Sequence, residues 1–156
     1  MNNTTDILNQ WLQEISSASD TPLSLDQSHR CFIGTNNNVD LMVCGDPLSE
    51  NFSVFLHICD MKDITDIEVF QALLALNLKP AYTCGGALAY DEGKQSLILT
   101  FSHEYQGLTA REFGNMLENL SQAVAPLQEY VKTLFDDAST SIQEQTAPNP
   151  LQMLRI

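Results

Sequence analysis

The stretch ITDIEVFQALLALNLKPAYTCGGALAYDEGKQSLILTF, residues 64–101, decides how the chain folds. Its first half carries Phe70, Leu73, Leu74 and Leu78 at three- and four-residue steps, the spacing of an apolar stripe on one helical face. Leu76 widens that stripe onto a second face. A short helix with two apolar faces needs two covers. The sheet of its own chain supplies one, and a partner subunit is the expected source of the other. After a short break, Gly85-Gly86 permits a tight turn into residues 87–90. Asp91-Glu92-Gly93-Lys94 reads as a hairpin loop in which Gly93 takes positive φ. Leu97 and Leu99 then alternate with Ser96, Ile98 and Thr100; Ile98 interrupts the polar face, so both faces of this strand are expected to be partly covered. A helix followed by a hairpin requires no parallel crossover.

Upstream, Thr4-Thr5-Asp6 can cap a first helix running to about Ile15, with Ile7, Leu8, Trp11, Leu12 and Ile15 on one face. Leu23 and Leu25 alternate with Ser24 and Asp26 and predict a brief strand. Further strands are expected at Cys31-Phe32-Ile33, at residues 39–44, and at residues 52–59, where Phe52, Val54, Leu56 and Ile58 share one face. Short connections favour antiparallel neighbours. Thr65 or Asp66 can cap the middle helix. Downstream, Thr109 and Glu112 have capping-box spacing. Phe113, Leu117, Leu120, Val124, Leu127, Val131 and Leu134 then recur at alternating four- and three-residue steps, a long helical seam in which Pro126 must kink or restart the helix. The expected fold class is α+β: an antiparallel twisted sheet covered by helices in the order α-β-β-β-β-α-β-β-α. One domain over residues 1–137 is expected, with residues 138–156 as a flexible, proline-punctuated tail.

Seven basic and twenty acidic side chains leave a net charge of −13 on 156 residues. That charge argues against a nucleic-acid partner and against an anionic membrane surface. No apolar run is long enough to span a bilayer, and the N-terminus lacks a basic region and a hydrophobic signal core. A cytoplasmic location is therefore expected, with the four cysteines reduced. The chain carries no P-loop, dinucleotide fingerprint, HExxH, CxxC or nucleophile elbow. His29-x-Cys31 and His57-x-Cys59 could gather four zinc ligands only if their strands were neighbours, and no acidic or amide orienter is placed to make a Cys/His nucleophile. No catalytic residue, cofactor or metal is expected.

Taken together, these parts resemble the class I type III secretion chaperones, the Tir-chaperone family. The resemblance rests on the first helix with Ile7, Leu8, Trp11 and Leu12, on SLD at residues 24–26 and on ALLALN at residues 72–77. GGALAYDEGKQSLIL at residues 85–99 and the long final helix complete it. It implies a homodimer, not an enzyme, that binds an extended N-terminal segment of a secreted effector. Such a protein keeps the effector soluble and secretion-competent and helps deliver it to the secretion apparatus. By the same resemblance, Phe70, Leu73, Leu74, Leu76 and Leu88 form the dimer interface, and Leu8, Trp11, Leu12, Val54 and Leu56 receive the effector. The residues themselves leave other functions open: a chaperone-like regulator sequestering another small protein, or a small α+β ligand-binding protein or enzyme.

Overall fold

The computed structural model describes residues 4–146, with side chains as far as residue 140. Along the chain run α1 (Thr4–Ile15), β1 (Arg30–Gly34), β2 (Asp40–Gly45), β3 (Asn51–Asp60), α2 (Ile67–Leu76), α3 (Pro80–Thr83), β4 (Ala87–Asp91), β5 (Ser96–Glu104) and α4 (Ala110–Thr146). The strands form one antiparallel sheet in the order β1-β2-β3-β5-β4, so β1 and β4 are its edges. The period of two sorts the strand residues. Leu41 and Val43, then Phe52, Val54, Leu56 and Ile58, then Leu97 and Leu99, are buried on the face that carries the helices. Opposite them lie Leu8, Trp11 and Leu12 of α1 and the seam Phe113, Leu117, Leu120, Val124, Leu127 and Val131 of α4.

Local chemistry fixes the joints. Asp66 caps α2, its carboxylate accepting from Glu68 N–H at 2.9 Å. The capping box forms as read: Glu112 Oε2 accepts from the backbone N–H and the hydroxyl of Thr109, at 2.9 and 2.8 Å. Those bonds draw the Glu112 carboxyl below its ordinary pKa, the Thr109 hydroxyl contributing most. Asn77 closes α2 onto the sheet edge. Its Oδ1 accepts from Leu88 N–H at 2.6 Å and its Nδ2 donates to Leu88 C=O at 3.3 Å, so the amide stands in for a neighbouring strand. At the irregularity between His57 and Cys59, the Ile58 carbonyl accepts from Gln128 of α4 at 2.8 Å. Gly86 can only be glycine, since a Cβ there would lie 2.6 Å from Thr100 O.

Several expectations change. No strand forms around Leu23 and Leu25, so three strands rather than four precede α2. The donors of that segment turn instead to α1 and the residue just after it: Leu23 N–H to the Ser16 hydroxyl at 2.9 Å and Leu25 N–H to Asn9 Oδ1 at 2.8 Å. The expected break after α2 contains the one-turn α3, opened by Pro80, whose missing N–H costs nothing at a helix start. In the β4–β5 hairpin it is Gln95, at φ 51°, that takes the left-handed conformation expected of Gly93. Pro126 does not end α4, which continues through it and past residue 137 to Thr146. The tail expected at residues 138–156 thus begins as helix, and residues 147–156 lie outside the described residues.

Candidate interaction surfaces

β2 lies between β1 and β3, so the two His-x-Cys pairs are not on neighbouring strands. Among the described residues no group of three or more His, Cys, Asp or Glu side chains could hold a metal ion. Burial pushes the thiols of Cys31, Cys44 and Cys59 up, that of Cys59 to about 11, the opposite of what activates a cysteine nucleophile. Among the described residues no helix is long and apolar enough to cross a membrane.

What the protomer does present is apolar surface. On α2, the buried stripe is Val69, Leu73 and Leu76. Ile67 and Leu74, seven positions apart on the other side, are 69% and 65% exposed, and Leu78 just beyond the helix is 85% exposed. Half-buried Phe70 lies between them, edge-on to Tyr90 of β4 at 6.3 Å. Tyr82 of α3, itself exposed, leads from this patch into a groove of about 850 Å³ between α3 and α4, where Phe101, Met116 and Leu127 contribute apolar lining. This surface therefore runs from α2 past the β4 edge to α4.

A second surface sits at the opposite edge. Among the described residues, β1 pairs along its length only with β2. At one end its Arg30 carbonyl accepts from Asp26 N–H at 2.7 Å, closing the turn that leads into the strand. Beside this edge is a groove of about 600 Å³ of mixed character: Ile15, Leu23, Ile33, Leu41 and Leu117 give it an apolar part, and Ser16, Thr21, Asn36 and Gln122 are among its polar lining.

The residues singled out from sequence divide unevenly between these surfaces and the interior. Leu8, Trp11, Leu12, Val54 and Leu56 are all core residues, Trp11 being only 7% exposed. The physical reason is that α1 lies against the sheet and α4, so its apolar face is consumed inside the protomer. Leu73, Leu76 and Leu88 are likewise buried, whereas Leu74 is exposed and Phe70 half-exposed. Leu78 shares the sequence stripe of Leu73 yet is exposed, because it lies beyond the end of α2, and Ile67, Tyr82 and Tyr90 carry no expected interface role. The signal for Ile67 was available, since it sits one heptad before Leu74.

The fold is shared by chains of several solved complexes. A chain of the ExsC–ExsE complex matches with a TM-score of 0.70 at 19% identity, over 81% of this chain and 95% of that one. A chain of the HopA1–SchA chaperone–effector complex matches with a TM-score of 0.67 at 22% identity, over 83% and 98%. A chain of the ExoU–SpcU complex, from the type III secretion system of Pseudomonas aeruginosa, gives 0.57 at 13% identity, over 78% and 95%. At these identities the likeness is one of fold. No curated protein matches the sequence. The family model of the Tir chaperone protein (CesT) family matches residues 10–128, from α1 to the middle of α4, and the chain therefore belongs to that family.

Proposed function

We propose that the protein is a type III secretion chaperone. It works as a homodimer, holds an extended N-terminal segment of a secreted effector, keeps that segment soluble and secretion-competent, and delivers it to the secretion apparatus. One observation carries this reading: the protomer leaves an apolar patch uncovered on the β4 side of its sheet, and beside the β1 edge a groove with a partly apolar lining. On the β4 side, Ile67, Leu74 and Leu78 with Phe70 form a patch that a second copy buries across a two-fold axis. Burying each such side chain stabilises by about 1.5–3 kcal/mol. In this reading Phe70 and Leu74 touch the partner subunit, while Leu73, Leu76 and Leu88 hold α2 and β4 in place beneath them. On the β1 side, an effector strand extends the sheet and sends alternate side chains into the groove on Ile15, Leu23 and Ile33. Leu8, Trp11 and Leu12 then shape the groove by fixing α1, and Val54 and Leu56 fix the sheet, without touching the effector.

Leu74→Asp places a charge in the dimer interface and leaves the buried side of α2 intact. Sedimentation velocity should give a dimer for the wild type and a monomer for the variant, with unchanged far-UV circular dichroism. A wild-type chain that sediments as a monomer overturns the dimer. For effector binding, amide exchange should slow along β1 when a co-expressed effector segment is bound. Protection confined to other elements would sink strand addition at this edge.

A further inference from the structure

Among the described residues no helix packs on the sheet face turned away from α1 and α4, yet that face is not uniformly polar. Strand register aligns Phe32, Met42 and Phe55 across β1, β2 and β3, and Ile98 of β5 lies opposite His57 of β3 on the same face. Phe32 is 66% exposed; Met42, Phe55 and Ile98 are half-buried. Together they floor a hollow of about 270 Å³ whose other walls include Asp40, Asp91, Lys94 and Ser96. Ser96 is 1% exposed, on the same face as Ile98, and its Oγ has no hydrogen-bond partner among the described residues. Buried hydroxyls are ordinarily paired, so an orphan at the wall of a hollow points to a missing polar partner. The charges nearby are unequal. Asp40 and Asp91 stand against Lys94, and the Asp91 Oδ1 already accepts from the Lys94 backbone N–H at 3.2 Å. His57 is turned to Asp60, with Nε2 3.3 Å from Oδ1.

We propose that this hollow seats a cationic side chain, arginine or lysine, of the bound effector polypeptide where that chain crosses the outer face of the sheet. The inference rests on the chaperone reading but concerns a face that reading does not use. The aliphatic stem lies on Phe32, Met42, Phe55 and Ile98, where the aromatic rings also favour a cation. The charged end sits between Asp40 and Asp91 and donates a hydrogen bond to Ser96 Oγ, supplying the partner that hydroxyl lacks. An acidic side chain would meet two carboxylates, and an aliphatic one would leave Ser96 unpaired. The net charge of −13 draws basic segments toward the protein at long range.

The test is an NMR titration of the full-length chain with the peptide acetyl-Ala-Leu-Arg-Leu-Ala-amide and its norleucine-for-arginine counterpart. Saturable shifts are expected at the amides of Phe32, Met42, Phe55, Ser96 and Ile98. The norleucine peptide should bind about fivefold or more weakly, and Asp40→Asn with Asp91→Asn should cost the arginine peptide a similar factor, as loss of a charge-assisted contact requires. Both aspartates are on the surface side of the sheet, so the double variant should keep the wild-type spectrum elsewhere. Equal binding of the two peptides, indifference to the double variant, or no saturable shift on this face overturns the site. Shifts confined to β1 and the α1 groove do so too, while leaving the chaperone reading intact; that reading stands or falls on sedimentation and on exchange in β1.

Discussion

Trp11 shows how far a single side chain can move between surface and core in interpretation. On the sequence it is a large aromatic on a short first helix, suited to gripping a partner. In the fold its ring lies 5.4 Å from that of Phe113, 5.9 Å from Tyr105 and 6.3 Å from Phe52, in an aromatic cluster that joins α1, the sheet and α4. Tyr105 reports the dryness of that cluster: burial first, then the nearby Asp46 carboxylate, pushes its phenol up to about 12. An apolar stripe states that a helix face is covered, and says nothing of whether its own chain or another covers it. Trp11→Ala should therefore cost about 3–5 kcal/mol of stability, the range for truncating a buried aromatic. Urea denaturation followed by circular dichroism measures it, since the variant loses the only tryptophan as a fluorescence probe. A loss below about 1 kcal/mol, within the range of ordinary surface substitutions, together with lost effector binding, would restore Trp11 as a surface anchor.

At the scale of elements, what the sequence made legible is what period and capping chemistry encode locally. The alternation in β2, β3 and β5, the Thr109–Glu112 box and the seam of α4 all stand where their spacing put them. Illegible were features decided by tertiary company. Leu73, Leu74, Leu76 and Leu78 are chemically identical, and only docking against β4 and α4 decides that the first and third are buried and the others exposed. Leu23 and Leu25 alternate like a strand, but Ser16, just after α1, and Asn9 of α1 capture their amides first. Pro126 was legible as a perturbation and not as a survivor. It lies inside α4 with its ring exposed, so the flanking seam residues Val124 and Leu127 stay packed and hold the helix together across it. The helix still lacks one amide donor and carries the ring's clash with the preceding turn, a burden of about 3 kcal/mol in a regular helix interior. Pro126→Ala should accordingly raise stability by roughly 1–3 kcal/mol, the lower end if α4 has relaxed by bending. A higher urea midpoint checks this. A lower one would mean that the proline ring, which lines the groove between α3 and α4, contributes packing worth more than the helix it disturbs.

For the molecule as a whole, charge and apolar surface pull in opposite directions, and the two proposed contacts respond to salt with opposite signs. Each protomer carries −13, so bringing two together opposes like charges, 2 × (−13) = −26 on the dimer, while the patch of Ile67, Leu74 and Leu78 offers apolar contact. The His57–Asp60 contact, an ion pair only when the imidazole is protonated, lies on the outer face of the sheet. Screening should then help association. Raising ionic strength from about 0.01 M to about 0.1 M shortens the Debye length from ~30 Å to ~10 Å and removes most of the long-range repulsion. A basic effector segment is drawn in by the same field, so its binding should weaken over the same range. Sedimentation equilibrium of the free chain and a peptide titration at matched salts measure the two limbs. The expected result is a dimer that tightens severalfold while the arginine peptide binds severalfold more weakly. A dimer that loosens with salt would place ion pairs, rather than the leucine patch of α2, at the centre of the interface. A peptide affinity that ignores salt would remove Asp40 and Asp91 from its binding site.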